Sequence, residues 1–175
     1  MNDRRARFEQ LLLPHMDAAY NLARWMTRND QDARDVVQEA ALRAYRFLDG
    51  LRGEARPWFL ALVRNACLSW LKTNRPAELA GMDAAAPEPA DPDTPETLAL
   101  RALDRRLLNE ALAALPAHFR EALILRELED LAYKDIARIT DSPIGTVMSR
   151  LARARRLLAD SLRAISRASA PKVHE

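Results

Sequence analysis

Apolar residues recur every three or four positions along the first 75 residues, the spacing typical of amphipathic helices. The first stripe predicts a helix over residues 5–28, and the next pattern predicts one over residues 30–48, with Asp30 or Asp32 as the candidate N-cap. A third helix is predicted to begin at Pro57, because proline is well tolerated in a first helical turn. The apolar positions of the first stripe are Phe8, Leu11, Leu12, His15, Ala19, Leu22 and Met26.

The second half of the chain has the same helical spacing and no alternation typical of strands. One helix is predicted to end before Pro116, and "AHFREALILREL" predicts the next. Two short helices follow in close succession, "YKDIARIT" and "IGTVMSRLARARRLL", separated by "DSP". Such a pair is typical of a helix-turn-helix motif, whose second helix enters the major groove of DNA. We therefore predict an all-α fold that contains a helix-turn-helix.

A proline-rich, acidic segment, "PAELAGMDAAAPEPADPDTPE", separates the two helical patterns. It holds five of the ten prolines, which break helices and favour extended backbone in the residue before them. We predict two small helical domains, residues 1–75 and 98–168, joined by an extended linker over residues 76–97, with a disordered tail over residues 169–175. The linker is either a passive spacer or an acidic strand that occupies a basic channel on a partner.

The formal net charge of +2 conceals two basic blocks on either side of the acidic linker. Residues 1–75 carry +4, residues 76–96 carry −6 and residues 97–175 carry +4. Such asymmetry favours binding of a polyanion by the two ends of the chain. The composition, with 49% apolar but only 6% aromatic residues, favours helices over strands.

Features of an exported or membrane-spanning protein are missing from the sequence. The start "MNDRRARFEQ" lacks the apolar core of a signal peptide, and no stretch approaches the roughly 18 apolar residues of a membrane span. The single cysteine, Cys67, excludes an intrachain disulfide. We expect a soluble cytoplasmic protein without direct membrane insertion.

The last predicted helix separates apolar side chains from cationic and hydroxyl-bearing ones. At about 100° per residue, its packing side holds Val147, Leu151, Ala154 and Leu158, and its opposite side holds Thr146, Ser149, Arg150, Arg153 and Arg156. Arginine is the commonest bidentate partner of guanine, and serine and threonine bind base edges or phosphates. A solvated arginine-rich face on an ordinary bundle helix is the alternative, but the helix-turn-helix pattern favours DNA binding.

The segment "LPAHFREALILRELEDLAYKDIARITDSPIGTVMSRLARARRLL" resembles the −35-recognition domain of extracytoplasmic-function (ECF) sigma factors of the sigma-70 family, most specifically in "GTVMSRLARAR". The family usually has glycine in the turn where this chain has Asp141, a residue type that tolerates left-handed backbone. By this resemblance the residues that contact −35 DNA are Pro143, Gly145, Thr146, Ser149, Arg150, Arg153 and Arg156.

The second predicted helix carries a polar, largely acidic face formed by Asp35, Gln38 and Glu39. Taken alone, this face is typical of a solvated surface, with Glu39 paired to Arg43 at i+4. However, "DVVQEAALRAYR" resembles the sigma-factor segment that docks on the clamp helices of the largest polymerase subunit. The resemblance implies that Asp35, Gln38 and Glu39 contact core RNA polymerase.

The third predicted helix combines aromatic and cationic residues, a pattern that suits stacking on unpaired bases and contact with their phosphates. "PWFLALVRNACLSWLK" resembles the −10 helix of the same family, and residues 49–56 match the loop that captures a base flipped from the duplex. The residues predicted to bind −10 DNA are Arg52, Trp58, Arg64, Asn65, Lys72 and Arg75.

These patterns together predict a sigma factor that binds core RNA polymerase and promoter DNA, with an anti-sigma protein as a further partner implied by the family. The alternative is a conventional helix-turn-helix regulator that never joins polymerase, and an enzyme with a helical nucleic-acid appendage is a third class. We expect no enzymatic activity, cofactor, metal or small-molecule substrate, because the three histidines are far apart and no phosphate-binding glycine loop is present.

Overall fold

The computed structural model of the chain describes residues 2–79 and 105–169, and within these residues it contains helices and turns but no strand. The all-α prediction is confirmed. Residues 80–104, which include most of the predicted linker, and residues 170–175 of the predicted tail lie outside the described residues. The α-helices are α1 (Asn2–Leu12), α2 (Met16–Thr27), α3 (Asp30–Arg46), α4 (Ala55–Asn74), α5 (Arg105–Ala113), α6 (Ala117–Leu123), α7 (Tyr133–Thr140) and α8 (Ile144–Ser169).

Helices α2, α3 and α4 pack on one another and supply most of the core of the first half. Leu22, Val36 and Phe59, one from each helix, are all at most 4% exposed. Helix α1 lies against this core, with the ring of Phe8 packed edge to face on Tyr45 at 5.6 Å between centroids. Burial of apolar side chains of this size contributes about 1.5–3 kcal/mol each, so the three-helix core stabilises the first half.

The first predicted helix, over residues 5–28, is interrupted in the structure, which corrects that prediction. A 3-10 turn at Leu13–His15 divides it into α1 and α2, with Pro14 near the start of the turn. Proline has no backbone N–H and its ring clashes with the preceding helical turn, so an unbroken helix is strained there. The apolar stripe nevertheless continues across the break, because Leu12 and Leu22 are both fully buried.

The helix starts in the first half differ from the predicted ones by one or two residues. Helix α3 is capped by Asn29, whose side-chain oxygen accepts a hydrogen bond from the backbone N–H of Asp32 at 3.0 Å, and not by Asp30 or Asp32. Helix α4 begins at Ala55, so Pro57 lies within the first turn without starting it. An exposed turn at Arg28, in left-handed conformation, separates α2 from α3.

In the second half, α6 and α8 pack together, with α5 and α7 against α8. A π-helical segment, Ile124–Leu128, continues directly from α6. Helix α7, the turn at residues 141–143 and helix α8 form the predicted helix-turn-helix. Asp141 adopts the left-handed conformation (φ 49°, ψ 49°), as expected for an aspartate in the position where the family usually has glycine.

The two halves contact each other along α4 with α7 and along α2 with α6. The first four residues of the predicted extended linker are not extended: Pro76–Leu79 form a 3-10 turn. Glu78 in that turn accepts hydrogen bonds from Arg28 and Arg120, each at 2.6 Å. Within the described part of the chain, no helix is long and apolar enough to cross a bilayer.

Candidate nucleic-acid and polymerase interfaces

The N-terminal half of α8 presents the largest group of residues predicted to contact −35 DNA. Pro143, Gly145, Arg153 and Arg156 are exposed and Thr146 is half-buried. The packing side is closed, with Val147, Leu151, Ala154 and Leu158 all at most 2% exposed. The side chains are therefore sorted as the helical spacing predicted, with cations directed away from the core.

Two of the predicted contact residues on α8 have partners within the helix-turn-helix. Ser149 is 6% exposed, and its hydroxyl donates a hydrogen bond to the carbonyl of Thr146 at 3.0 Å. Arg150 is half-buried and donates from Nη1 to the hydroxyl of Ser142 at 3.0 Å. In this arrangement Ser149 lacks the exposure for a base contact, and Arg150 bridges the turn to the recognition helix.

Arg155, which the sequence analysis did not assign to the interface, is 4% exposed and donates to Glu127 at 2.7 and 3.1 Å. This pair links α8 to the π-helical segment and holds the recognition helix in place. Ile144 is a second residue that was missed: 49% of it is exposed in the first turn of α8. An isoleucine at the start of a cationic helix gives no signal in a search for charged contacts.

The surroundings of α8 are electropositive. Burial, together with the charges of Arg150 and Arg153, lowers the pKa of His118 to about 4, so this histidine is neutral near pH 7. The guanidinium of Arg153 lies over the ring of Phe119 at 5.5 Å from its centroid. An aromatic face orients a cation without neutralising it, so Arg153 keeps its charge for a DNA partner.

The predicted −10 surface on α4 and the preceding loop is only partly accessible. Arg52, Asn65 and Lys72 are exposed, and Trp58 is half-buried. Arg75 is also half-buried: its guanidinium lies 5.4 Å from the Trp70 ring centroid and 3.6 Å from Glu78.

Arg64, the central arginine of this set, is buried in the contact between the two halves. Its Nε and Nη2 atoms donate to the two carboxylate oxygens of Glu121 at 2.9 and 3.1 Å. Burial, reinforced by the carboxylate of Glu121, raises the pKa of the adjacent Cys67 thiol well above its usual value, so the thiol stays protonated. In this arrangement Arg64 is not available to DNA.

The loop at residues 49–56, predicted to capture a flipped base, is covered by the second half. Gly53 has φ +75°, and a Cβ atom there would lie 2.9 Å from the guanidinium of Arg138 on α7. Arg56 donates to the carbonyl and the carboxylate of Glu129 at 2.9 and 3.1 Å. Glycine is needed at position 53 both for its backbone conformation and for this close approach.

The polar face of α3 is exposed along its length. Asp35, Gln38 and Glu39 are exposed, and the same face continues into Leu42, which is 55% exposed. Glu39 forms an ion pair with Arg43, as its i+4 spacing predicted. Residues 30–46 therefore present acids, an amide and one large apolar side chain to a partner.

The described residues contain no group of three or more His, Cys, Asp or Glu side chains placed to hold a metal ion. The predicted surfaces consist instead of arginines, amides, aromatic rings and exposed carboxylates. This chemistry suits the binding of a nucleic acid and of a protein.

The chain matches two descriptions of protein families: Sigma-70 region 2 over residues 11–76 and Sigma-70 region 4 over residues 105–158. It is 36% identical to the ECF RNA polymerase sigma-E factor of Haemophilus influenzae, over 81% of this chain and 79% of that protein. It is 33% identical to the RNA polymerase sigma-H factor of Pseudomonas aeruginosa, over 94% of this chain and 90% of that protein.

Among solved structures, the fold is similar to the sigma factor RpoE of Bartonella quintana, solved in complex with the anti-sigma factor NepR. The TM-score is 0.68 at 29% identity, over 89% of this chain and 96% of that one. CnrH, solved with the cytosolic domain of CnrY, shares the fold with a TM-score of 0.58 at 23% identity, over 93% of this chain and 89% of that one.

Proposed function

Because the chain belongs to the ECF sigma factors of the sigma-70 family, the RNA polymerase subunits that direct promoter-specific initiation, we propose a specific role for each of its surfaces. The acidic face of α3 docks on core polymerase. The loop at residues 49–56 and helix α4 bind the −10 element, and α8 binds the −35 element. Polymerase performs the nucleotidyl transfer, and this chain acts as a non-catalytic initiation factor in the cytoplasm.

The observation that best supports this assignment is the division of α8 into two faces. Arg153 and Arg156 are exposed, whereas Val147 and Leu151 on the opposite side are 1% exposed. A helix packed in this way can enter a major groove with its cations in contact with bases and phosphates. The exposed acids of α3 give the same chain a second surface that does not suit DNA.

The proposal is tested by transcription from a random promoter library with core polymerase and the purified chain. We expect initiation at a defined set of sites that share a −10 and a −35 element. Gel filtration with core polymerase should also give a stoichiometric complex. A protein that binds DNA as a dimer and fails to form this complex would instead be a conventional helix-turn-helix regulator.

We also infer that an anti-sigma protein binds this chain. The support is its similarity to RpoE of Bartonella quintana, which was solved with such a partner. Co-purification with a tagged chain, followed by mass spectrometry and an inhibition assay with the candidate protein, tests this inference. The inhibitor must abolish initiation at the selected sites while leaving a housekeeping sigma factor active.

A further inference from the structure

Three arginine–glutamate contacts join the second half of the molecule to the first. The most deeply buried is the contact of Arg64 in α4 with Glu121 in α6, where the arginine side chain is 10% exposed and the glutamate side chain is 0% exposed. Both carboxylate oxygens accept a hydrogen bond, so the pair has the bidentate geometry of an arginine with a phosphate.

The second contact joins the start of α4 to the residue that follows the π-helical segment. Arg56 donates to Glu129 through both the backbone carbonyl and the carboxylate, and Asn21 of α2 donates to the same carboxylate at 3.2 Å. Arg138 of α7 lies against Gly53 in the neighbouring loop. The second half therefore covers the loop at residues 49–56 as well as the middle of α4.

The third contact is formed by Arg120 of α6, whose side chain is fully buried. It donates to Glu78 at 2.6 Å and to the backbone carbonyl of Met26, at the end of α2, at 3.3 Å. Glu78 also pairs with Arg28 of the first half. Arg120 is thus a cation of the second half that is satisfied by acceptors in the first half and in the turn that follows it.

We propose that, in the protein free of polymerase, Glu121 and Glu129 occupy the arginines that promoter DNA uses, so that the second half shields the −10 surface until the two halves separate. The inference rests on the proposed function of α4 and its preceding loop. A guanidinium that holds both oxygens of Glu121 cannot at the same time hold a phosphate, because its donor pair is already used. Carboxylate and DNA compete for Arg64 directly.

Promoter geometry independently requires this separation. Elements centred at −10 and −35 lie about 25 base pairs apart, which is about 85 Å of B-DNA at a rise of about 3.4 Å per base pair. A compact chain of 175 residues has a radius of gyration of about 16 Å. Packed halves cannot reach both elements, so the contacts described above must break before both are bound.

The buried ion pair suits a contact that opens. A buried salt bridge gains in Coulomb energy about what it loses in desolvation, so its net contribution to stability is small. Its geometric demands nevertheless select one docking arrangement. When the halves separate, Arg64 and Glu121 both regain water, and neither is left buried without a partner.

The test compares the full-length wild type with the double variant Glu121→Gln/Glu129→Gln. The matched control is Asp160→Asn, which neutralises an exposed carboxylate paired with Arg163 inside α8. Small-angle X-ray scattering measures the radius of gyration, and fluorescence anisotropy measures the Kd for a labelled single-stranded oligothymidylate at low salt. Circular dichroism checks that helicity is retained.

We expect the double variant to have a larger radius of gyration and to bind the oligonucleotide about fivefold or more tightly, the change that corresponds to ~1 kcal/mol. The control should match the wild type in both measurements. An unchanged radius of gyration, or an expanded variant with unchanged DNA affinity, would overturn the proposal.

A charge exchange protects the test against a variant that simply misfolds. Arg64→Glu and Glu121→Arg, each alone, place like charges in contact and should expand the molecule, whereas the double exchange should restore the wild-type radius of gyration. Expansion in all three proteins would also overturn the proposal. Failure of the wild type to initiate with core polymerase would refute the proposed function alone, because scattering and oligonucleotide binding need no polymerase.

Discussion

Arg153 is the arginine of α8 best placed to meet a DNA base, because it is exposed and its guanidinium has an aromatic ring, not a carboxylate, beside it. We expect Arg153→Ala to weaken binding to the selected −35 duplex by ~1–3 kcal/mol and to relax the preference at one base pair. Anisotropy titrations against all single-base variants of the element measure both effects.

Arg163→Ala is the matched control, since Arg163 is also an exposed arginine of α8 but lies ten residues further from the turn and pairs with Asp160. It should change the affinity little and the preference not at all. Equal weakening on every sequence in the Arg153→Ala titrations would assign Arg153 to a phosphate.

Ile144 presents an apolar surface in the first turn of α8, next to Gly145, where an added Cβ would meet no atom within 4 Å. The methyl group of thymine is the apolar feature of the major groove. We expect replacement of one −35 thymine by uracil to weaken binding by about 0.8 kcal/mol, the value of one buried methylene-sized group. In Ile144→Ala the same base change should have no effect; a persistent loss would contradict the contact.

Residue type and local spacing were sufficient to predict some of these sites. The left-handed backbone at Asp141 and the exposure of Arg153 follow from helical periodicity and from the conformations that aspartate tolerates. The burial of Arg64 does not, because its partner Glu121 lies 57 positions away in the chain. Periodicity places a side chain on a helix face but carries no information about what covers that face.

Among the helices, α3 carries the clearest prediction for polymerase docking. Glu39→Lys should weaken holoenzyme formation while leaving the fold intact, because the side chain is exposed and its only printed ion pair within the described residues is the local one with Arg43. Loss of that pair costs a few tenths of a kcal/mol, roughly 0.2–0.5.

Competition with a labelled reference sigma factor for core polymerase measures the affinity of the variant. Asp160→Lys, the same charge reversal at an exposed acid on α8, is the control and should compete like the wild type. Unchanged competition by Glu39→Lys would remove this residue from the docking surface.

The start of α3 provides a stability prediction. Asn29→Ala removes the acceptor for the N–H of Asp32 and should lower the free energy of unfolding by ~1 kcal/mol, within the ~0.5–2 kcal/mol typical of such caps. Urea unfolding followed by circular dichroism measures this difference. Asp30→Ala should cost less, because Asp30 lies inside the helix and pairs with Arg24 at the surface.

Helix existence was predictable where helix boundaries were not. In "RNDQD" several consecutive residues are good caps, and the extended backbone at Asn29 (φ −146°, ψ 132°) is what selects one of them. Pro14 was overlooked for a different reason. An apolar stripe reports side-chain positions, whereas the break arises from a missing backbone donor.

At the scale of the whole molecule, Glu78 makes the contact between the halves sensitive to acid. Although burial opposes it, the hydrogen bond from Arg120 and the charges of Arg120, Arg28 and Arg75 hold the pKa of Glu78 below its usual 4.5. A carboxyl group with a lowered pKa stabilises the folded form above its unfolded pKa, and this stabilisation is lost as the pH falls through the lowered value.

We therefore expect the wild type to be more stable than Glu78→Gln at pH 6–7, with a difference that shrinks as the pH falls below about 4.5. Urea unfolding at a series of pH values measures the difference in free energy. Glu9→Gln, at an exposed glutamate paired only with the nearby Arg5 among the described contacts, should show a much smaller pH-dependent difference. A constant difference between wild type and Glu78→Gln across this range would contradict the assigned ion pairs.

The two-part organisation of the chain was visible in its charge blocks and prolines, but the contact between the parts was not. Arg120 has the sequence context of an ordinary surface residue in "AHFREALILREL", yet it is fully buried. Its acceptors come from the end of α2, the end of α5 and the turn at Pro76–Leu79. Only the three-dimensional arrangement brings these distant groups together.

The π-helical segment at Ile124–Leu128 has a consequence for how this molecule could be altered by evolution or by design. It accommodates one residue more than a regular helix of the same length, so deleting a single residue there would turn everything downstream by about 100° without necessarily ending the helix. Glu127 and Glu129 would then face away from Arg155 and Arg56. One codon would thereby redirect the DNA-contacting helix and release the clasp between the halves in a single step.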